Sequence, residues 1–579
     1  MGFLKADSPA LDHPTWRQGS RSERLKPLVR HIAERGMGNP DVLYVLYTVK
    51  IALFVIGGVC FALATKGIDG WGNIASWWSE PIVFQKAVLW ALLFEVLGLG
   101  CGFGPLTGKI KPPMGSVLYW LRVGTIRLPP WPRWVPLTAG DRRGPLDVML
   151  YAGLLVATLC ALLSDGTGPV AALDTSIGLL PTPNIAVIVA LLAIAGLRDK
   201  LIFLAARGEV YGALTVTFLL PGQDMIVAAK LVMVAIWMGA ATSKLNKHFP
   251  YVVATMMGNS PLVRSKRLRT LLYRGYPEDI RPSIIPRLLA HGGTVVELLV
   301  PLVMFFSHGG VITIVAATVM VIFHLVILTS IPLGVPLEWN VFMIFGIGSL
   351  FVAHADLGLA ELAQPWAVAA LMAVIIAAIV LGNVDPPKVS FLPGMRYYAG
   401  NWDISTWCLT ESATAKIQER ASGLGLLQHK QLERLAGPEN AEIAMYRGLA
   451  FRAMYAHGRA VVTLLNRVMP AGREDEYAVV EGEMVAAYAL GWSFGDGHLH
   501  NENLVRALHA RCRFEPGEVR IIMIDGQPIH RQRQRYRLVD AATGEFERGT
   551  FEIADLIDRQ PWEDDVPITV TAATAVDRR

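Results

Sequence analysis

The residues of this chain best able to do chemistry stand where a chain can least easily keep them. Glu95, Lys230, Lys244, His291, Glu297 and His324 all lie inside or at the edge of long apolar runs. An ionisable group at bilayer depth is costly unless it is paired or lines a cavity, so each is a functional candidate. Glu297 stands in "HGGTVVELLVP" and His324 in "VMVIFHLVIL", and the two runs join at the tight turn "SHGG". If both runs are antiparallel helices, Glu297 is about eleven and His324 about fifteen residues from that turn, a difference in depth of about 6 Å. The pair can therefore meet, to share a proton or to hold a ligand's polar head. The plainer alternative is a hydrogen-bonded pair that only fixes helix packing.

Lys230 and Lys244 are fourteen residues apart. That is nearly four helical turns, so both project from a similar face. A desolvated Lys230 can act as a general base, or it can snorkel or pair with a carboxylate such as Glu95. Lys244 begins a basic loop, where position alone favours snorkelling. His291 precedes Glu297, and "IPLGVPLEWN" sets Glu338, Trp339 and Asn340 at the start of a further run. These four are candidate substrate contacts. Glu338 equally complements a helix N-terminus, and Trp339 equally anchors at an interface.

In the polar tail, "GWSFGDGHLHNEN" offers Asp496, His498 and His500 as a candidate metal site. An H-x-H pair presents two imidazoles to one side of an extended strand, and Asp525 and His530 could add ligands. No cysteine spacing supports zinc, so a polar turn capping the helix from Asn501 is the plainer reading. The run "HRQRQRYR" reads first as a solvated strand face and second as a contact for anionic headgroups.

The elements that position these residues follow from composition. The chain has 579 residues, 53% hydrophobic and only 17% charged, against about a quarter charged in a soluble protein. Its charges gather in a few loops and in the tail, which is the segregation a bilayer demands. Runs long enough to span are 43–64, 83–103, 146–163, 177–197, 224–242, 287–306, 310–331, 339–354 and 365–381. The run 201–220 is apolar enough to cross but contains Arg207 and Glu209.

Lys and Arg number seven before residue 43, seven in 104–145 and eight in 243–285, while 164–176 has none. All three basic regions fall on the cytoplasmic side only if 201–220 crosses. That favours ten spans over nine, with both termini cytoplasmic in the plasma (inner) membrane. The polar N-terminus reads as no cleavable signal peptide, and the first span as an uncleaved anchor. Five scattered cysteines without CxxC spacing argue against a disulfide framework. The segment 109–141, rich in Pro, Trp and Arg, reads as lying on the bilayer surface.

The expected fold is an all-α polytopic membrane helix bundle of nine or ten spans with a C-terminal soluble α+β domain. Its divisions are a cytoplasmic segment 1–42, a bundle 43–384, a linker 385–400 and a cytoplasmic domain 401–579. Helices are expected at 438–469, 480–492 and 501–512, and strands at 519–524 and 535–539.

The order of "IWMGAATSKLNKHFPYVV", then Glu297 with Pro301, then Phe323-His324, resembles the membrane domain of the vitamin K-dependent γ-carboxylase family and its bacterial relatives. The likeness covers about residues 224–354. It implies that Lys244 stands where that family places the base acting on vitamin K hydroquinone. This sequence has no counterpart of the carboxylases' large lumenal region, which speaks against γ-carboxylation itself. Through "SKLNKHFPYVV", "IPLGVPLEWN" and "MRYYAGNW" the whole chain is also similar to a bacterial family of multi-pass proteins with no assigned function.

There is no GxGxxG opening a helix, no Walker A sequence, no GxSxG and no HExxH, so nucleotide-driven transport and standard hydrolase chemistry lack support. The remaining readings are a membrane enzyme acting on a lipophilic substrate, a quinone or a lipid; a binding or transport protein for an amphiphile; and a structural membrane protein. Expected partners are membrane lipids and a second copy of the chain. The net charge of +5 requires no nucleic acid, since retained cytoplasmic basic residues account for it.

Overall fold

The computed structural model describes residues 3, 6–100, 115–330, 337–389, 399–421, 423–492 and 502–574. Two polar helices, α1 (His13–Gln18) and α2 (Arg21–Arg35), precede the long apolar α3 (Asp41–Leu63). A single turn, α4 (Ile74–Trp77), leads to α5 (Pro81–Val96), α6 (Gly115–Trp120), α7 (Pro145–Leu163) and α8 (Thr182–Arg198). A broken segment follows, comprising α9 (Lys200–Ala205), a π-helical turn Gly208–Gly212 and α10 (Ala213–Thr217). Next are α11 (Gly222–Ser243), α12 (Phe249–Asn259), the turn α13 (Lys266–Thr270) and a hairpin of β1 (Tyr273–Gly275) and β2 (Asp279–Pro282). The bundle closes with α14 (Ile284–Phe306), α15 (Gly310–Ser330), α16 (Leu337–Gly346) and α17 (Pro365–Val384).

Among the described residues, six helices are long and apolar enough to cross a membrane: α3, α7, α11, α14, α15 and α17. This is fewer than the nine or ten runs in the sequence: α8 has only seventeen residues, and the other three shortfalls have local causes. α5 has sixteen residues and buries fifteen of them, so it forms the axis of the bundle. α16 gives way after ten residues to a π-helical turn, Ile347–Val352. There Gly346 lies against Met233; a Cβ would come within 2.8 Å of the methionine Cε. The run 201–220 is not one helix. Arg207 takes a left-handed conformation, φ 51°, which breaks a right-handed helix at that residue.

The expected hairpin of α14 and α15 is present. Ser283 caps α14 by accepting the Ile285 N–H. The turn between the two helices uses positive φ at His308, Gly309 and Gly310, which glycine adopts without steric cost.

Loop contacts define two ends of the bundle. At one end the Lys66 N–H donates to Asp165 at 2.9 Å, Thr175 donates to Glu80 at 2.6 Å, and the N–H groups of Ala363 and Gln364 donate to Asp224 at 2.7 Å. At the other end Arg127 donates to the Arg198 carbonyl at 2.8 Å, Arg143 pairs with Asp199, and Ser260 donates to the Thr329 carbonyl at 2.7 Å.

The C-terminal region sits on that second end. Its elements are β3 (Ile404–Leu409), α18 (Glu411–Arg420), α19 (Gln428–Ala436), α20 (Pro438–Met454), α21 (Ala456–Val468), β4 (Ala478–Glu481), α22 (Gly482–Leu490), α23 (Asn503–Cys512), β5 (Val519–Ile524), β6 (Arg533–Asp540), β7 (Gly544–Glu552), α24 (Ile553–Asp558) and β8 (Thr569–Ala573). The strands form one antiparallel sheet in the order β4-β3-β5-β6-β7-β8. Two expected helices differ. The stretch 438–469 is split at Tyr455, whose backbone is extended (ψ 141°), with its ring packed edge-on to Trp402. The stretch 480–492 begins as the end of β4 before turning helical at Gly482.

The N-terminal helices are built into this region. Leu25, Leu28 and Val29 of α2 share a core with Leu449, Ala450 and Ala453 of α20. The loops of the second end are bound to it as well. Trp120 donates to the Leu490 carbonyl at 3.0 Å, Arg511 to the Gly124 carbonyl at 2.9 Å and Tyr251 to the Ile557 carbonyl at 2.7 Å.

Candidate functional site in the membrane bundle

α11, α12, α14, α15 and α16 enclose a cavity of about 310 Å³. Lys244, Glu297, His324, Trp339 and Asn340 all line it. Each comes from a separate stretch of chain. Lys244 ends α11 at its C-cap, Glu297 lies mid-way along α14, His324 lies toward the end of α15, and Trp339 and Asn340 lie in the first turn of α16.

Lys244 and Glu297 form an ion pair with side chains only 8% and 5% exposed. The Lys244 ammonium also lies 5.4 Å from the Phe249 ring centre and 5.8 Å from that of Phe323. The expected Glu297–His324 pair is therefore not the arrangement found: the carboxylate is engaged by the lysine, and His324 has other partners. Trp237 Nε1 is 3.0 Å from His324 Nε2, and His324 Nδ1 is 2.9 Å from Asn340 Oδ1. An indole N–H can only donate, so Nε2 accepts and Nδ1 carries the proton that Asn340 receives. His324 is thus held as a neutral imidazole with both nitrogens occupied. Through Nδ1 it holds the side-chain oxygen of Asn340.

Apart from Ser330, the remaining wall is apolar. Phe249, Phe323, Trp237 and Trp339 supply aromatic faces, and Met256 and Met257 supply flexible ones. Leu289 and Val326, 47% and 54% exposed, stand on the rim. They belong to the outward apolar faces of α14 and α15, so the cavity opens toward hydrocarbon when those helices are in a bilayer.

The turn that presents Lys244 is held from behind. Asn246 accepts the N–H groups of His248 at 2.8 Å and Phe249 at 3.0 Å, and its amide donates to the Ser243 carbonyl at 2.6 Å. Phe249 faces the cavity, while the fully buried His248 ring lies 6.1 Å from that of His457 in α21. His457 donates from Nδ1 to the Gly400 carbonyl at 2.6 Å. Burial holds its pKa well below 6.5, with Arg452 and His248 acting in the same direction.

The other candidates are placed elsewhere. Lys230 donates to the carbonyls of His354 at 2.5 Å and Leu357 at 2.6 Å, mid-way along α11 and away from Lys244 at its C-cap. His291 is exposed and does not line the cavity. Glu338 pairs with Lys50 of α3 at 3.0 Å, and both are buried. Asp496, His498 and His500 lie outside the described residues. Asp525 is paired with Arg535 at 3.0 Å, and His530 is exposed. Among the described residues no group of three or more His, Cys, Asp or Glu side chains is placed to hold a metal ion.

Sequence reasoning misses Lys50, Trp237 and Arg207. Lys50 stands inside the apolar run 43–64, so its signal is the same as that of Lys230. Arg207, read only as a charge interrupting a span, stacks at 4.4 Å over the Trp339 ring. Trp237 carries no signal in the sequence, because an indole in an apolar run reads as core.

Comparisons with curated proteins and with solved structures give no match. The family DUF3556, described as a transmembrane protein of unknown function, matches residues 1–571, the bundle and the C-terminal region alike, and the chain belongs to that family.

Proposed function

We propose that the cavity is the functional site of a membrane-embedded enzyme acting on a lipophilic substrate, a lipid or a quinone, that enters from the bilayer. The observation that carries this reading is the convergence of Lys244, Glu297, His324 and Asn340 on one apolar-walled cavity with a rim at Leu289 and Val326. Lys244 and Glu297 supply the chemistry. Moving a proton from the ammonium to the carboxylate leaves an amine that can take a proton from a bound ligand, and Glu297 holds the proton meanwhile. Asn340, oriented by His324, positions the substrate. Trp339 is a wall of the site, and Glu338 braces it through Lys50. The proposal rests on this geometry and not on the γ-carboxylase resemblance, to which the family match does not extend.

The same cavity serves the second reading, a protein that binds or moves an amphiphile. The observation that favours it is the cavity's opening to one side of the bundle.

The proposed topology has ten crossings in the inner membrane, with both termini, the C-terminal region and the three basic loops on the cytoplasmic side. Its support is the packing of residues 13–35, 115–145 and 249–283 on the C-terminal region. On this topology 200–221 traverses the bundle as a broken segment.

The test is native mass spectrometry with lipid extraction on gently solubilised protein. A specific lipid that co-purifies with the wild type and is lost from Glu297→Gln and Lys244→Ala supports the site. Equal folding and the same bulk lipid in all three would remove it.

A further inference from the structure

The cavity carries information about the head it holds, given that it is a ligand site. We propose that its ligand has an uncharged, hydroxyl-bearing head: a neutral lipid alcohol such as a diacylglycerol, a sterol or a prenol, rather than a phospholipid.

The first argument is charge. Among the described residues lining the cavity, Lys244 and Glu297 are the only charged side chains, and they neutralise each other. His324 is held neutral by the indole N–H it accepts. The site therefore has no net charge. A phosphate or ammonium head brought into it would leave one buried charge uncompensated, which costs several kcal/mol in a low-dielectric interior. A zwitterionic head would have to separate the ion pair and pair again with each half.

The second argument is hydrogen-bond type. An ammonium only donates and a carboxylate only accepts. A group that satisfies both at once must accept from Lys244 and donate to Glu297. A hydroxyl does this with one oxygen. A carbonyl or ester can satisfy Lys244 alone, and a phosphate diester competes with Glu297 for the lysine.

The third argument is the wall. Trp237, Phe249, Phe323 and Trp339 offer aromatic faces, and Met256, Met257 and Met343 offer unbranched, adaptable side chains. A compact head fits in about 310 Å³, and its chain leaves past Leu289 and Val326 into the acyl layer.

The experiment uses the full chain in phosphatidylcholine nanodiscs doped with dioleoylglycerol and dioleoylphosphatidic acid at equal mole fraction. Retained lipid is counted by native mass spectrometry after release. The expected result is dioleoylglycerol enriched about tenfold over its mole fraction, with phosphatidic acid and phosphatidylcholine at bulk proportion. Glu297→Gln leaves the cavity net positive and should raise the ratio of phosphatidic acid to dioleoylglycerol about tenfold relative to the wild type. Lys244→Met should lower it. Retention of phosphatidic acid or phosphatidylcholine by the wild type would leave the ligand site standing and overturn the neutral head. Retention of no lipid above bulk would overturn the site itself.

Discussion

α11 holds one lysine mid-way along its length, Lys230, and one at its C-cap, Lys244, and the two are used differently. Lys230 spends its hydrogens on the carbonyls of His354 and Leu357, which close the turn after α16. Lys244 faces a carboxylate across a cavity. A lysine that donates to main-chain carbonyls completes a fold, because its partners are neutral and fixed. A lysine that faces Glu297 beside open space has a partner that can take its proton and room for a third molecule between them. Depth in an apolar run marks Lys230, whereas Lys244 stands at the edge of the run, where position alone favours snorkelling. Only the chemistry of the partner and the space beside it separate structure from site.

The sharpest way to break this contrast is to remove one half of the pair. Glu297→Ala leaves Lys244 buried and unpaired, and should cost about 3–5 kcal/mol of stability, read as a lower thermal unfolding temperature in detergent micelles. The double variant Lys244→Met/Glu297→Leu should recover most of that loss while the co-purifying lipid stays absent. Next in size is Lys230→Met, which strands two carbonyls and should cost about 1–3 kcal/mol, with the bound lipid unchanged. A lipid lost from Lys230→Met would collapse the distinction between the two lysines. His324→Leu removes the acceptor of Trp237 and the donor to Asn340. It should weaken lipid retention about tenfold at a smaller cost in stability than Glu297→Ala.

The smallest effect is in the C-terminal region and depends on pH. Burial holds His457 well below 6.5 and His429, with Lys430 nearby, at about 4. Both are neutral in the folded state and take up protons more readily when unfolded. Their contribution is complete above the unfolded value of 6.5 and is lost as pH falls toward the folded value. Thermal unfolding of the C-terminal region should therefore drop between pH 6.5 and 4, and His429→Gln should reduce that drop. Because His457 backs the turn that carries Lys244, lipid retention should fall along with it.

Much of the bundle is legible in the sequence because lipid imposes a simple rule, long apolar runs closed by charged loops. The hairpin of α14 and α15 follows from "SHGG", and Lys244, Glu297, His324, Trp339 and Asn340 are all visible as polar groups at or near depth. What the sequence does not carry is rotation and pairing. Glu297 and His324 come to similar depth, as the turn predicts, yet Lys244 reaches the carboxylate first and Trp237 takes the imidazole. The brevity of α5 and α16 is equally hidden, because an apolar run looks the same whether it faces lipid or a crowded interior, and Arg207 and Glu209 mark 201–220 in the sequence without showing that the helix breaks there. In the C-terminal region β5 and β6 are legible from their β-rich runs. β4 has only four residues, and β3 pairs with β4 and β5, both distant in the chain, so their pairing is decided by tertiary contact.

On the proposed reading a bilayer lipid reaches Lys244 and Glu297 through the rim at Leu289 and Val326. That route is tested most directly by photo-crosslinking a diazirine-bearing diacylglycerol to the full chain in nanodiscs and mapping the labelled peptides. The account predicts label concentrated on the cavity walls around Gly293 in α14 and Phe323 in α15, and lost in Leu289→Trp, which fills the rim. Label spread evenly over the outward faces of α3, α7 and α17, and unchanged by Leu289→Trp, would contradict it.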